Sequence, residues 1–182
     1  MIGNNPHDII KPTNRLSYEL VHTANLLEIP MIFKDDDNPF VIQAYKDVRK
    51  IKAYYKKLAS IKNTDPNLIA SDWLIKLTKE DSYIGIISIY DLTDNLFQDQ
   101  HIKCSLGFAI KTAYQRQYFA TEAIIHFLDF IHSHLQRKLV LAYTHDGNTG
   151  TKTLLHKLGF EDVTYAYISG PDVRYYQKNL EQ

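Results

Sequence analysis

The stretch from Ile102 to Phe130 constrains the fold more than any other. Upstream, Ile102 to Ile110 is apolar, first in alternation and then continuously, as in a strand. Downstream, Ile124, Ile125, Phe127, Leu128 and Ile131 recur at helical spacing. A strand therefore runs into a helix through the short segment Gln115-Arg116-Gln117-Tyr118-Phe119-Ala120-Thr121-Glu122. The first turn of a helix leaves backbone N–H groups without intrahelical partners, and the aligned peptide dipoles place partial positive charge there. Such a junction seats a phosphate readily. It is equally the form of an ordinary amphipathic helix that follows a strand.

A second junction of the same kind lies further on. Leu139-Val140-Leu141-Ala142-Tyr143 suits a short buried strand, and His145-Asp146-Gly147-Asn148-Thr149-Gly150-Thr151 then leads into Leu154, Leu155, Leu158, Gly159 and Phe160. Asn148 fits the cap of that helix, and Gly159 supplies the left-handed residue that ends it.

Before these junctions, Leu16, Tyr18 and Leu20 alternate with polar neighbours and predict a first strand near Arg15 to Val21. Lys34-Asp35-Asp36-Asp37-Asn38-Pro39 reads as a solvated loop, because a calcium loop would need spaced ligands and a glycine. A helix is expected from Pro39, with Val41, Ala44, Tyr45, Val48, Ile51, Tyr55 and Leu58 on one face. Lys46, Arg49, Lys50, Lys52, Lys56 and Lys57 lie on the other, as a solvated basic face or a site for an acidic partner. Asn63 to Asn67 reads as a turn. Strands are expected at Trp73 to Thr78 and Tyr83 to Tyr90, with a polar loop from Asp91 to His101. Two strand-like runs flank Ser169-Gly170-Pro171-Asp172 near the end. Adjacent hairpins followed by strand-helix units predict an α+β (α/β three-layer) fold, with a mixed, mostly antiparallel sheet flanked by helices.

The two junctions resemble those of the GNAT N-acetyltransferases. The cofactor loop of that family reads Gln or Arg, two residues, Gly, one residue, then Gly or Ala; Gln115 and Ala120 match its ends. Ala120-Thr121-Glu122-Ala123 is similar to the helix opening of the ribosomal-protein N-terminal (alanine) acetyltransferase branch, and Asn148, Thr151 and Gly159-Phe160 to its Asn-x-x-Ser…Leu-Gly-Phe arrangement. Thr13-Asn14-Arg15-Leu16 and Ile84-Gly85 are similar to the family's strand openings. Tyr118 stands where the family has its glycine, and Arg116 where the branch often has another.

The resemblance implies acetyl-CoA as co-substrate and direct acetyl transfer to a primary amine, either a protein amino terminus or a small molecule. It implies that the backbone of Phe108, Ala109 and Ile110 binds the pantetheine arm, with Asn148 joining from the next strand end. The loop of Gln115, Arg116, Gln117, Tyr118, Phe119, Ala120 and Thr121 would hold the pyrophosphate. Thr151, in the serine position of the branch, would face the leaving sulfur as the catalytic hydroxyl, or simply satisfy the helix start. The tyrosine acid of many members is replaced here by Leu155, and the strand that often carries a catalytic glutamate reads Cys104-Ser105-Leu106. Tyr90, Asp91 and Tyr143 remain open as bases, while Glu122 suits the dipole of its helix. A degenerate CoA-binding or protein-interaction module without catalysis is the alternative.

Composition sets the outer bounds. At 182 residues, one domain from 13 to 182 suffices, with 1–12 as a flexible N-terminal arm. Lys plus Arg and Asp plus Glu are both 21, so no overall field advertises nucleic acid or membrane. The one cysteine, Cys104, suits a reducing cytoplasm and reads as core. No apolar run approaches the roughly 18 residues of a membrane span. His126, His132, His134, His145 and His156 form no metal set, so no metal is expected. Oligomeric state stays open.

Overall fold

A computed structural model describes residues 10–64, 69–91, 103–166 and 172–181. Most of the polar loop after Asp91, Ile102, and most of the expected turns near Asn63 and Ser169 lie outside the described residues. The elements are β1 (Leu16–Leu20), α1 (Glu28–Phe33), α2 (Gln43–Lys46), α3 (Val48–Thr64), β2 (Ala70–Leu77), β3 (Tyr83–Asp91), β4 (Lys103–Ile110), α4 (Phe119–Ser133), β5 (Leu139–His145), α5 (Thr149–Lys157), β6 (Glu161–Asp162) and β7 (Val173–Asn179). The strands form one sheet in the order β1-β2-β3-β4-β5-β7-β6. Every neighbouring pair is antiparallel except β4 and β5, which run parallel with α4 as the crossover.

Helices cover both faces of the sheet because its central strands are apolar on both. Trp73, Ile75, Ile87, Ile89, Leu106 and Val140 pack against Phe127, Ile131 and Leu155 of α4 and α5. Leu74 and Ile86, on the opposite face, pack against Ile29, Phe33, Val41 and Ile51 from the α1–α3 side. Gly85 lets β3 and β4 close together at the top of their ladder: a Cβ there would stand 2.4 Å from the Ala109 carbonyl oxygen.

The sheet and the two strand-helix junctions follow the sequence reading, and the early helices depart from it. α1 was not expected, since at six residues, with Pro30 in it, the segment is too short for its buried spacing of Ile29, Pro30, Ile32 and Phe33 around the exposed Met31 to stand out as a period. The helix expected from Pro39 begins instead at Gln43 and is broken at Asp47, whose backbone is extended at φ −131° and ψ 124°. Asp47 Oδ1 accepts from the amides of Arg49 and Lys50 at 2.7 and 2.9 Å and so starts α3 afresh. The loop Lys34–Pro39 is not wholly solvated either. Asp36 is buried and accepts from the Thr112 amide (2.7 Å) and hydroxyl (2.9 Å), which ties this loop to the exit of β4. Ile10 packs in the core, and the Lys11 carbonyl lies 2.7 Å from His126 Nε2 on α4.

Candidate functional site

β4 and β5 pair only over Lys103↔Leu139, Cys104↔Val140 and Ser105↔Leu141. Beyond those pairs β4 stays with β3 as far as Gly85↔Ile110, and β5 stays with β7 as far as His145↔Val173. The two strands therefore part, leaving a wedge between residues 106–110 on one side and 142–145 on the other. Because they are parallel, both end at the same edge of the sheet, and both junctions flank the wedge. Phe108, Ala109 and Ile110 form its β4 wall.

From Ile110 the chain turns through a short 3-10 segment, Thr112–Tyr114, into Gln115. Gln115 Nε2 donates to the Ile110 carbonyl at 2.9 Å and folds the loop back onto the strand end. Arg116 and Tyr118 both adopt the left-handed conformation, at φ 61° and φ 66°. Each costs roughly 1 kcal/mol for a residue with a Cβ. These are the two positions at which the resemblance leads one to expect glycine, and both hold the left-handed backbone that glycine favours. Tyr118 is 76% exposed.

Helix α4 has no side-chain cap, and its first helical bond is from the Glu122 amide to the Tyr118 carbonyl. Among the described residues, no group accepts from the amides of Arg116 to Thr121. Arg116 and Gln117 are exposed, Ala120 and Thr121 half-buried, and Phe119 is buried beneath the Arg15 guanidinium, 4.5 Å above its ring. Arg15 also donates to the Gln117 carbonyl at 3.1 Å and to Glu122 Oε2 at 2.7 Å. Thr13 Oγ1 and the Arg15 amide reach Glu122 Oε1 at 2.5 and 3.1 Å. Burial alone would raise the Glu122 carboxyl, but these hydrogen bonds outweigh it and hold the pKa below its ordinary value. Glu122 is thus committed to fastening the lead of β1 onto α4.

At the second junction Asn148 Oδ1 accepts from the Thr151 amide at 3.2 Å and caps α5. Thr151 is half-buried in the first turn. Leu155 is fully buried in the core, and Gly159 ends the helix at φ 78°. Phe40 from the early loop stands against His145, ring centroids 5.7 Å apart, over the end of β5.

Of the open base candidates, Asp91 is taken up by Arg137, at 3.2 and 3.1 Å, and by the Ile69 amide at 3.0 Å. Tyr143 is exposed on β5 beyond its last pair with β4. Tyr90 opens onto a cluster that the sequence reading missed. Asp72, 1% exposed, accepts from Tyr90 Oη at 2.7 and 2.8 Å, from Tyr55 Oη at 2.6 Å and from the Ser88 hydroxyl. Tyr54 Oη lies 2.5 Å from Tyr90 Oη. Burial first, and the charge of Asp72 second, raise the phenols of Tyr45, Tyr54, Tyr55 and Tyr90, that of Tyr54 to about 12. The available signal was an acid inside an apolar strand, Asp72, together with two tyrosines in the basic helix α3.

Cys104 is buried on β4, and burial pushes its thiol up to about 12, so it is no nucleophile. Among the described residues no cluster of His, Cys, Asp and Glu could hold a metal ion, and no helix is long and apolar enough to cross a membrane. A separate cleft of about 380 Å³ lies between α5 and the closing strands, lined by Asp146, Lys152, His156 and Arg174 among others. Asp146 pairs with both Lys152 at 3.0 Å and Arg174 at 2.8 Å there, and Asp162 supplies the second negative charge, leaving the cleft little net charge.

The family described as acetyltransferase (GNAT) domain matches residues 23–161. Solved structures share the fold. Ribosomal-protein-S5-alanine acetyltransferase from Vibrio fischeri superposes with a TM-score of 0.72 at 16% identity, over 96% of this chain and 98% of that one. FdhC, a nucleotide-linked sugar GNAT, gives 0.72 at 16% identity over 96% and 92%. A spermidine N-acetyltransferase from Vibrio cholerae gives 0.66 at 15% identity over 93% and 96%. No curated protein matches the sequence at a significant level.

Proposed function

Because the chain belongs to the GNAT acetyltransferase family, we propose that it transfers an acetyl group from acetyl-CoA directly to a primary amine, on a protein amino terminus or a small molecule. The observation that carries this reading is the wedge between β4 and β5, flanked by two strand-helix junctions, one of which presents open amides above two left-handed residues. Successive amides arranged in that way form an anion-binding concavity, and the helix dipole adds to it. A diphosphate has the charge and the acceptor oxygens to take up those amides, which have no acceptor among the described residues.

In this reading the amides of Gln117 to Thr121 hold the pyrophosphate, and the exposed Arg116 guanidinium adds charge-assisted bonds. The edge of β4 at Phe108 and Ile110, whose backbone groups face away from β3, bonds the pantetheine arm as an added strand would, with Ala109 paired to Ile86 between them. Gln115 already engages the Ile110 carbonyl, which leaves that oxygen one further lone pair. Asn148 Nδ2 supplies a donor from the other wall, its Oδ1 being used by the helix cap. Bound there, acetyl-CoA supplies an electrophilic thioester carbonyl and a thiol leaving group. The Thr151 hydroxyl donates a hydrogen bond toward the sulfur, a role within reach of a weak acid. The relatives named above include proteins that act on a protein amine and on a polyamine, and both classes belong in the substrate panel. The cytoplasm is the compartment we propose, in keeping with the single cysteine, Cys104.

A second reading, CoA binding without catalysis, rests on the absence of a carboxylate at Cys104-Ser105-Leu106 and on the burial of Leu155. Thiol release from acetyl-CoA over alanine-terminated peptides and spermidine, set beside thermal stabilisation by CoA, separates the two. Turnover with stabilisation supports acetyl transfer, stabilisation alone supports the binding module, and neither result defeats both.

A further inference from the structure

Resting on the acetyl-transfer reading, we propose that Asp72 is the proton sink for the substrate amine, reached through the hydroxyls of Tyr54 and Tyr90. The shared protons give this cluster a direction. Tyr90 Oη lies within 2.8 Å of both Asp72 oxygens, and a phenol has one proton. That proton is held by the carboxylate. In the 2.5 Å contact between Tyr54 and Tyr90, Tyr54 is therefore the donor, which leaves a lone pair on Tyr54 Oη free to accept. The hydroxyls form a directed chain that ends on an anion.

The chain sits beside the wedge. Ser88, which donates to Asp72, is paired with Gly107, an exposed residue of β4 past its last pair with β5. A Cβ at Gly107 would be 3.7 Å from the Ser88 Cβ. Tyr143, on the opposite wall, is near enough for its phenol to raise those of Tyr54 and Tyr45 further. Two hydroxyl routes converge on Asp72, one through Ser88 with Tyr45 beside it and one through Tyr90 with Tyr54. Tyr45 is buried, whereas Tyr54 and Tyr90 are half-buried, so the Tyr54 end is the entrance.

The step balances without any further reagent. The ammonium N–H bond breaks and its proton goes to Tyr54 Oη; the Tyr54 proton moves to Tyr90 and the Tyr90 proton to Asp72. The amine keeps its lone pair, the carboxylate becomes the acid, and the reverse path later returns the proton to water. A buried anion at the end of such a chain also favours a substrate that arrives as a cation. The amine is thus a protonated primary ammonium at the entrance and a neutral nucleophile beyond it.

The test compares wild type with Tyr54→Phe and Asp72→Asn, using spermidine and an alanine-terminated peptide as probes. Tyr54→Phe should lower kcat/KM for the amine by about 10²-fold, the usual worth of positioned base catalysis, with the KM for acetyl-CoA and the CoA-induced rise in Tm unchanged. The lost activity should return in part as pH rises and the free amine becomes abundant. The titratable groups that face Asp72 are Tyr45, Tyr54, Tyr55 and Tyr90. Independently of turnover, tyrosines labelled with ¹³C at Cζ report the contact: the resonance missing from Tyr54→Phe should move when either amine is added. Should Asp72→Asn fail to fold, Tyr54→Phe and the labelled wild type still decide the matter. Turnover within twofold of wild type in Tyr54→Phe, or a static Tyr54 resonance, overturns the relay and leaves acetyl transfer standing. Wild type without turnover on any amine removes both.

Discussion

Tyr90 Oη bridges the two carboxylate oxygens of Asp72, at 2.7 and 2.8 Å, in a cluster where β2 and β3 meet helix α3. The same cluster governs how the protein responds to alkali. Burial, and then the charge of Asp72, raise the Tyr54 phenol to about 12, above its ordinary value near 10. The folded state then keeps a proton that the unfolded chain gives up, so this stabilisation is complete below about pH 10 and is lost as pH climbs toward about 12. Tyr45, Tyr55 and Tyr90 are raised in the same direction and add to it. Urea midpoints taken from about pH 9 to about 12 should fall steeply in wild type and less steeply in Tyr54→Phe.

Glu122→Gln should loosen the beginning of the chain. The carboxylate accepts three bonds from Thr13 and Arg15, and hydrogen bonds to a charged group are each worth about 1.5–3 kcal/mol. The amide keeps one acceptor and loses the charge, so a net loss of about 2 kcal/mol is expected in urea unfolding. Because the folded pKa of Glu122 is lowered, its contribution is full above the ordinary glutamate value and vanishes as pH falls through the folded one. The gap between variant and wild type should therefore close in acid.

Tyr118→Gly should stabilise the protein. Tyr118 is 76% exposed, so little packing is lost, and glycine takes φ 66° without the Cβ clash. A gain of about 1 kcal/mol is expected from denaturant midpoints, with CoA affinity kept. A loss of stability would mean that the tyrosine ring makes contacts that outweigh the strain.

Asn148→Ala and Thr151→Ala should separate cofactor binding from turnover. Removing the Asn148 cap costs about 1 kcal/mol and should weaken CoA binding. Thr151→Ala leaves the cap intact, because the bond uses the Thr151 amide, and should lower kcat more than affinity. Unchanged turnover in Thr151→Ala would end the proposed role of its hydroxyl.

How much of this the sequence disclosed depended on whether a feature was local. The strand from Lys103, the helix from Phe119 and the capped helix after Asn148 were legible because period, cap and αL residue all sit within a few positions of one another. The break at Asp47 was not, since Val41 to Leu58 keeps a helical apolar pattern straight through it and only the Asp47 side chain restarts the helix. Asp36 looked solvated because its partner, Thr112, is far along the chain. The Asp72 cluster was invisible for the same reason, being assembled from residues of β2, β3 and α3. At Tyr118 a tyrosine stands where the resemblance expects glycine and holds the left-handed backbone that glycine favours, so a motif read by residue type undersells the turn.

The central claim is that a diphosphate-bearing thioester sits over the amides that follow Gln115, in the wedge between β4 and β5. Titrating CoA into ¹⁵N-labelled protein tests it most directly. The amide resonances of Gln117 to Thr121 and of Phe108 to Ile110 should shift together and saturate at one affinity. Shifts confined to the cleft around Asp146 and Arg174, or no shifts at all, would contradict it.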